Sequence, residues 1–229
     1  MAFQRKNLFW ILPAALFAAL LVYMMADIAL ARARALKLVQ AALDSSQVWI
    51  TVDSLSQEQL DILIRVEDPT FFHHQGIDLK TPGAGLTTIT QSIGKWLYFS
   101  PFKPGIRKFR LMWLSRYVTH PLVPKEDQLT LFLNYGYFSK VDSKVIWGLG
   151  QAAVAYYGVP VPELTRHQYI SLIGMYPFPN HLNPMTHPEE NAERVRRIEA
   201  YLAGEIQPTG LLDIYYDGST VVAPRGPKK

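Results

Sequence analysis

Cysteine is absent from this 229-residue chain, and its absence excludes whole classes of site. A protein without cysteine has no disulfide framework, no thiol nucleophile and no thiolate metal ligand. Charged residues are also scarce, at 18% against about 25% in typical domains. The net charge of +4 is too small to indicate nucleic-acid binding by itself. With 49% hydrophobic residues, the chain is expected to fold around an apolar core.

Charge is missing altogether from residues 8–26. A helix of that length measures about 28 Å, close to the ~30 Å hydrocarbon core of a bilayer. A signal peptide is the alternative, but its apolar region is shorter, about 7–15 residues, and ends in a small-x-small site. We therefore predict a cytoplasmic N-terminus at 1–7 and an uncleaved transmembrane anchor at 8–30. Basic residues flank the run on both sides, so the charge pattern does not choose the topology.

Strand signals are sparse, whereas apolar residues recur at helical spacing through most of the remaining chain. Three capping boxes are predicted to open helices, at Ser56-x-x-Gln59, Thr165-x-x-Gln168 and Thr186-x-x-Glu189. Near the C-terminus, Asp217-Gly218 predicts the turn of a small hairpin. We therefore expect a juxtamembrane stalk at 31–53, one mainly helical domain at 54–205 and a C-terminal tail at 206–229.

Acidic residues are missing from residues 79–125, although the same stretch is rich in cations and aromatic residues. Its cations are Lys80, Lys95, Lys103, Arg107, Lys108, Arg110, Arg116 and Lys125. Cations beside aromatic side chains suit an anionic ligand with an apolar tail at a bilayer surface. A basic surface that contacts only lipid headgroups explains the charge equally well. Nucleic acid is a poor third choice because of the predicted anchor.

A carboxylate at the end of an apolar helix stands just before this basic stretch. Glu67 closes the run LDILIRVE and is followed by Asp68. Burial raises the pKa of a carboxyl group and makes its carboxylate a better base near neutral pH. By itself, the position also fits a solvated Glu-Asp pair at a helix C-terminus.

Four motifs follow one another along the chain. Residues 67–78 fit the pattern E-D-x-x-F-x-x-H-x-G-x-D, and residues 85–96 resemble G-G-S-T-I-T-Q-Q-x-x-K-N. R-K-x-x-E falls on 107–111, and residues 132–139 resemble Y-L-N-x-I-Y-F-G. In this order they resemble the signatures of the peptidoglycan glycosyltransferase family, the membrane-bound enzymes that polymerise lipid II. Several motifs in order are more specific than any one of them. The resemblance covers 57–203 with no transpeptidase module after it, which points to the monofunctional branch.

The resemblance implies an all-α, lysozyme-like glycosyltransferase domain tethered to the bacterial plasma membrane, outside the cytoplasm. It implies that Glu67 is the general base and that basic residues stabilise the pyrophosphate leaving group. The implied substrate-binding residues are Asp68, Phe71, Thr87, Gln91, Lys95, Lys103, Arg107, Lys108 and Arg110. The implied partners are lipid II, the growing glycan strand, the membrane and other cell-wall synthesis proteins, and no nucleic acid is expected.

One departure from the family pattern bears directly on activity. The glutamate of the third signature is Leu111, and no acidic residue lies nearby in the sequence. The resemblance implies a divalent metal, Mg²⁺, in this region, but Leu111 supplies no ligand for one. We expect residue 111 to face the cleft, so that Leu111→Glu would raise activity. The alternatives are a non-catalytic relative that binds the lipid-linked precursor or a partner, and a lysozyme-like glycosidase that acts on polymer.

Overall fold

The computed structural model describes residues 2–218, with side chains from Trp10 onward. The chain is mainly helical, as the sequence predicts. Its α-helices are α1 (Ala2–Leu43), α2 (Gln57–Glu67), α3 (Ile89–Tyr98), α4 (Arg107–Leu114), α5 (His120–Leu122), α6 (Lys125–Tyr135), α7 (Leu149–Tyr157), α8 (Arg166–Met175) and α9 (Pro188–Ala203). A π-helical turn, Ser115–Thr119, joins α4 to α5, and 3₁₀ turns cover Val52–Ser54 and Val161–Glu163. Strands β1 (Tyr137–Val141) and β2 (Lys144–Trp147) complete the fold.

The predicted anchor and residues 31–43 of the predicted stalk form one continuous helix, α1, of 42 residues. Its segment Trp10–Leu43 is long and apolar enough to cross a membrane, and no residue of its most apolar part is buried in the domain. Further along, Ala31, Ala35 and Val39 are buried against the domain. Small alanine side chains let the helix approach α4 and the π turn closely. The stalk is therefore a packed part of the domain.

The core of the domain is built around α8, whose residues Tyr169–Met175 are all buried. A helix that is apolar on every side belongs at the centre of a fold. α9 packs along α8 and presents its buried face of Asn191, Arg194, Val195 and Ile198. α2 packs against α8 as well, which holds Glu67 at the edge of the core.

Two of the three predicted capping boxes are confirmed, at the starts of α2 and α8. The third is wrong: α9 starts at Pro188, with His187 as its cap, and Thr186 Oγ1 lies 2.9 Å from His187 Nδ1 instead. Proline suits the first helical position because it has no N–H to leave unpaired. An additional capping box, Thr88 with Gln91, starts α3.

The hairpin lies elsewhere than the sequence predicts. β1 and β2 pair antiparallel around Asp142 and Ser143, whose φ angles are +48° and +66°. Two left-handed residues suit the right-handed twist of a tight hairpin. The prediction at Asp217-Gly218 is wrong as far as residue 218, because residues 213–218 contain turns and bends and no strand. Its second half lies outside the described residues.

Candidate active site

A cleft enclosing about 860 Å³ of solvent-open space lies between the ends of several helices. It is bordered by the end of α2, the loop before α3, one side each of α3 and α4, the end of α8, and α9. Its polar and charged lining residues are Glu67, Thr87, Ser92, Lys95, Lys108, Tyr176 and Arg194. Among the described residues that line it, Glu67 is the one carboxylate.

Glu67 is the last residue of α2 and is only partly exposed. Burial raises the pKa of its carboxyl group to about 8, and the negative charge of Asp68 adds to the rise. The positive charge of Arg194 opposes the rise without cancelling it. A carboxylate with a pKa near the working pH is a better proton acceptor than an ordinary one. The geometry therefore suits Glu67 to general-base chemistry.

Asp68 joins the helix that carries Glu67 to the helix that carries Lys95. Its buried carboxylate accepts hydrogen bonds from His74 Nε2, at 2.9 and 3.0 Å, and from the backbone N–H of Ile89, at 2.9 Å. The N–H of Gly76 donates to His74 Nδ1, so the proton of the neutral imidazole lies on Nε2. Asp68 therefore works as a structural clamp behind the cleft.

Lys95 of α3 and Lys108 of α4 bring two ammonium groups to the same cleft. Burial, together with the charge of Lys108, lowers the pKa of Lys95 to about 8. Like charges held together in a partly desolvated place disfavour each other until an anion neutralises them. The hydroxyls of Thr87 and Ser92 lie in the same lining. This side of the cleft is therefore suited to a phosphate or pyrophosphate group.

Two more of the predicted binding residues are packed behind the cleft. Phe71 is fully buried, and Lys125 Nζ lies 3.9 Å from the centre of its ring. Gln91 is buried too, and its Oε1 accepts a hydrogen bond from the Thr88 N–H in the capping box of α3. With Asp68, these residues support the site and do not border the space in which a substrate would lie.

Three further predicted cations lie outside the cleft lining. Lys103 is exposed, and Arg107 donates to the backbone carbonyl of Pro101. Arg110 makes a two-pronged pair with Asp27 of α1, at 2.9 and 2.8 Å, and Trp113 Nε1 donates to the same carboxylate. Arg110 therefore attaches α4 to α1.

The expectation that residue 111 faces the cleft is wrong. Leu111 is only 3% exposed, and its Cδ1 lies 3.0 Å from the point where a Cβ on Gly94 would stand. The apolar face of α4 packs there because glycine lets it approach α3 closely. No group of three metal-binding side chains occurs among residues 2–218, so the donor set does not fit the divalent metal that the resemblance implies.

Arg194 is a site residue that sequence reasoning missed. It is 3% exposed, donates from Nη1 to the carbonyl of Ile214 at 2.6 Å, and stands 4.9 Å from the ring centre of Tyr216. Its signal in the sequence was its place among the apolar positions of amphipathic α9, three residues after Asn191 and four before Ile198. A charged side chain on a buried helix face needs hydrogen-bond partners or solvent. The guanidinium of Arg194 donates to the carbonyl of Ile214, and the residue borders the cleft.

Residues 35–202 match the family model of the transglycosylases, over more than half of the chain. The chain belongs to the transglycosylase family. It is 28% identical over 169 residues to penicillin-binding protein 1A of Streptococcus oralis, covering 67% of this chain and 26% of that protein. It is 28% identical over 161 residues to penicillin-binding protein 1B of Vibrio cholerae, covering 65% and 21%. Penicillin-binding protein 1A of Escherichia coli is 26% identical over 155 residues, covering 62% and 18%.

The match confirms the family that the ordered motifs predicted from the sequence. The chain spans about a quarter or less of the length of these relatives. The matched residues contain both Glu67 and the two lysines of the cleft, so the family match and the cleft coincide.

Proposed function

We propose that this transglycosylase polymerises the glycan strands of peptidoglycan from lipid II, with Glu67 as the general base. The observation that carries the proposal is the placement of a base with a raised pKa and two cations around one cleft. A base and a cation pair are what a sugar transfer needs when the leaving group is a pyrophosphate.

In the proposed reaction, the 4-hydroxyl of one disaccharide attacks the anomeric carbon of another. The new carbon–oxygen bond forms as the bond from the anomeric carbon to the pyrophosphate oxygen breaks. Glu67 takes the hydroxyl proton, and the electron pair of the broken bond leaves with the lipid-linked pyrophosphate. A pyrophosphate is a good leaving group, so it needs charge stabilisation more than it needs a proton.

Lys95 and Lys108 are assigned to the pyrophosphate, with Thr87 and Ser92 as hydrogen-bond donors beside them. Charge-assisted hydrogen bonds to phosphate are short and strong, and they strengthen as the negative charge grows on the leaving oxygen. An anion between the two lysines also removes the repulsion that lowers the pKa of Lys95. Binding and leaving-group stabilisation thus use the same pair of charges.

A non-catalytic relative that binds lipid-linked precursor is the second candidate. It is favoured by the buried position of Leu111, which takes the place of the third-signature glutamate. The cationic side of the cleft would then bind the pyrophosphate without sugar transfer.

We further propose that α1 crosses the bacterial plasma membrane once and holds the domain outside the cytoplasm. The length and apolar surface of α1 support this placement, as does a substrate that carries a long lipid. A reporter that works only in the cytoplasm, fused after Lys229, should give no signal, and a strong signal would reverse the topology.

Glu67→Gln tests the proposed base directly. The full-length protein in detergent is given lipid II, and polymer is separated by gel electrophoresis. Glu67→Gln should reduce polymerisation about 10²–10⁴-fold, the usual effect of removing a general base. The matched control is Glu205→Gln, an exposed glutamate outside the cleft, which should leave the rate unchanged.

Equal rates in the wild type and Glu67→Gln would remove Glu67 from the mechanism. A wild type that binds lipid II tightly and makes no polymer would establish the second candidate.

A further inference from the structure

The segment after α9 folds back over the transglycosylase cleft. Residues 206–217, the C-terminal strap, follow the last residue of the family match, residue 202. Two backbone hydrogen bonds join the strap to the loop before α3: Gly83 N–H donates to Gly210 O at 2.9 Å, and Gly85 N–H donates to Leu211 O at 2.8 Å. The strap and this loop therefore form one continuous edge of the cleft.

The end of the strap is held in the core. Tyr216 is 6% exposed, and its ring stacks on that of Tyr201 with centres 4.4 Å apart. The buried Asp213 carboxylate accepts hydrogen bonds from the N–H groups of Thr209, Asp217 and Gly218. With both ends attached and a turn held by a carboxylate, the strap is an ordered wall.

Between these attachments, Ile214 lines the cleft together with Glu67. Its own carbonyl is occupied by Arg194 Nη1. Its Cγ2 lies 3.0 Å from the position that a Cβ on Gly85 would take, so the two segments are in close contact. This part of the wall therefore offers hydrocarbon and no free carbonyl at 210, 211 or 214.

We propose that Ile214 is a specificity-determining residue for the sugar that lies beside Glu67, and that it limits the size of the N-acyl group on that sugar. The inference rests on the proposed function, because Glu67 as base identifies this sugar as the acceptor. An apolar wall meets the apolar part of its ligand, and on an N-acetylated sugar that part is the acetyl methyl. A longer acyl chain has to displace this wall or bend away from it, which disfavours it relative to a methyl group.

The test compares lipid II with an analogue that carries N-propanoyl, one methylene longer, in place of N-acetyl, using the full-length protein in detergent. The ratio of kcat/KM for the two substrates measures discrimination. One extra methylene against an apolar pocket wall costs roughly 10–200-fold. The wild type should therefore prefer lipid II strongly, and Ile214→Ala should reduce the preference at least about tenfold. Met185→Ala, an exposed apolar residue outside the cleft lining, should leave the ratio within twofold of the wild type.

A second measurement does not depend on turnover. Competition between the two lipids for binding to the Glu67→Gln variant, with and without Ile214→Ala, should give the same change in preference. Ile214→Val, which removes a single methylene, keeps the test available if the alanine variant loses its fold, and it should move the ratio in the same direction by a smaller factor.

An unchanged preference in a folded Ile214→Ala protein would overturn the inference, and so would a wild type that handles both lipids equally. A wild type that binds and discriminates between the lipids without forming polymer would contradict the proposed catalysis and support the proposed role of Ile214. Normal polymerisation with no effect of substitutions at Ile214 would support the proposed catalysis and contradict the proposed role of Ile214.

Discussion

Replacing Glu67 by glutamine should stabilise the fold while it removes activity. The carboxyl group has a pKa of about 8 in the folded protein against 4.5 for the free side chain. Burial makes its charge unfavourable, and the charge of Arg194 offsets only part of that. Glutamine has nearly the same shape and never carries the charge, so the variant avoids the unfavourable ionisation.

The sign and size of the effect follow from proton linkage. A group whose pKa is raised on folding contributes stability that is fully present below the unfolded pKa and is lost as pH rises through the folded pKa. The loss therefore develops between pH 4.5 and about 8 for Glu67 and is complete above that range. At about 1.4 kcal/mol per pKa unit, the full shift corresponds to roughly 5 kcal/mol as an upper bound. Glu67 borders an open cleft, and solvent screening there reduces the effect to about 2 kcal/mol.

Thermal unfolding followed by circular dichroism in detergent measures this difference. At pH 8.5 the Tm of Glu67→Gln should exceed that of the wild type by roughly 4–8 °C, since 1 kcal/mol shifts Tm by about 2–4 °C in a chain of this size. At pH 4 the two proteins should unfold together. The control Glu205→Gln should match the wild type at both pH values. A Glu67→Gln Tm at or below the wild-type value at pH 8.5 would refute the reasoning, because it would mean that the folded protein does not disfavour the charge.

The remaining predictions concern three positions. The rate of transfer should fall above pH 8 as the Lys95 ammonium deprotonates, and Lys95→Arg should move this alkaline limb of the kcat/KM profile upward by at least about one pH unit. Leu111→Glu should fail to raise activity and should lower the unfolding free energy by roughly 3 kcal/mol, because the carboxylate would be buried against Gly94. Asp27→Asn should cost about 2 kcal/mol and speed tryptic cleavage in α4, because Arg110 loses its charged partner.

Each of these has a result that would contradict it. An alkaline limb that is unchanged in Lys95→Arg would mean that another group titrates there. A stable and more active Leu111→Glu protein would show that residue 111 reaches the cleft after all. Equal digestion of Asp27→Asn and the wild type would mean that α4 is held in place without its contact to α1.

Several features of this transglycosylase are determined by neighbours in the sequence, and those features could be predicted. Capping boxes join residues three apart, so Ser56 and Thr165 identified the starts of α2 and α8 correctly. The apolar run of α1 depends only on composition and length. The position of Glu67 at the end of α2 follows from the apolar run before it, and its role as a base stays a prediction from a contiguous motif.

Other features were decided by contacts between distant parts of the chain. The guanidinium of Arg110 is a suitable ligand for a phosphate group. It pairs instead with the carboxylate of Asp27, which lies 83 residues away in the sequence. Leu111 sits in a contiguous motif, yet packing against Gly94 turns it away from the cleft. Arg194 and Ile214 join the site only because the strap returns across it. The sequence by itself determined which segments become helices and which carboxylate stands at the end of α2. The packing of those helices decided which cations face the cleft, because a side chain's orientation depends on which neighbour buries the opposite face of its helix.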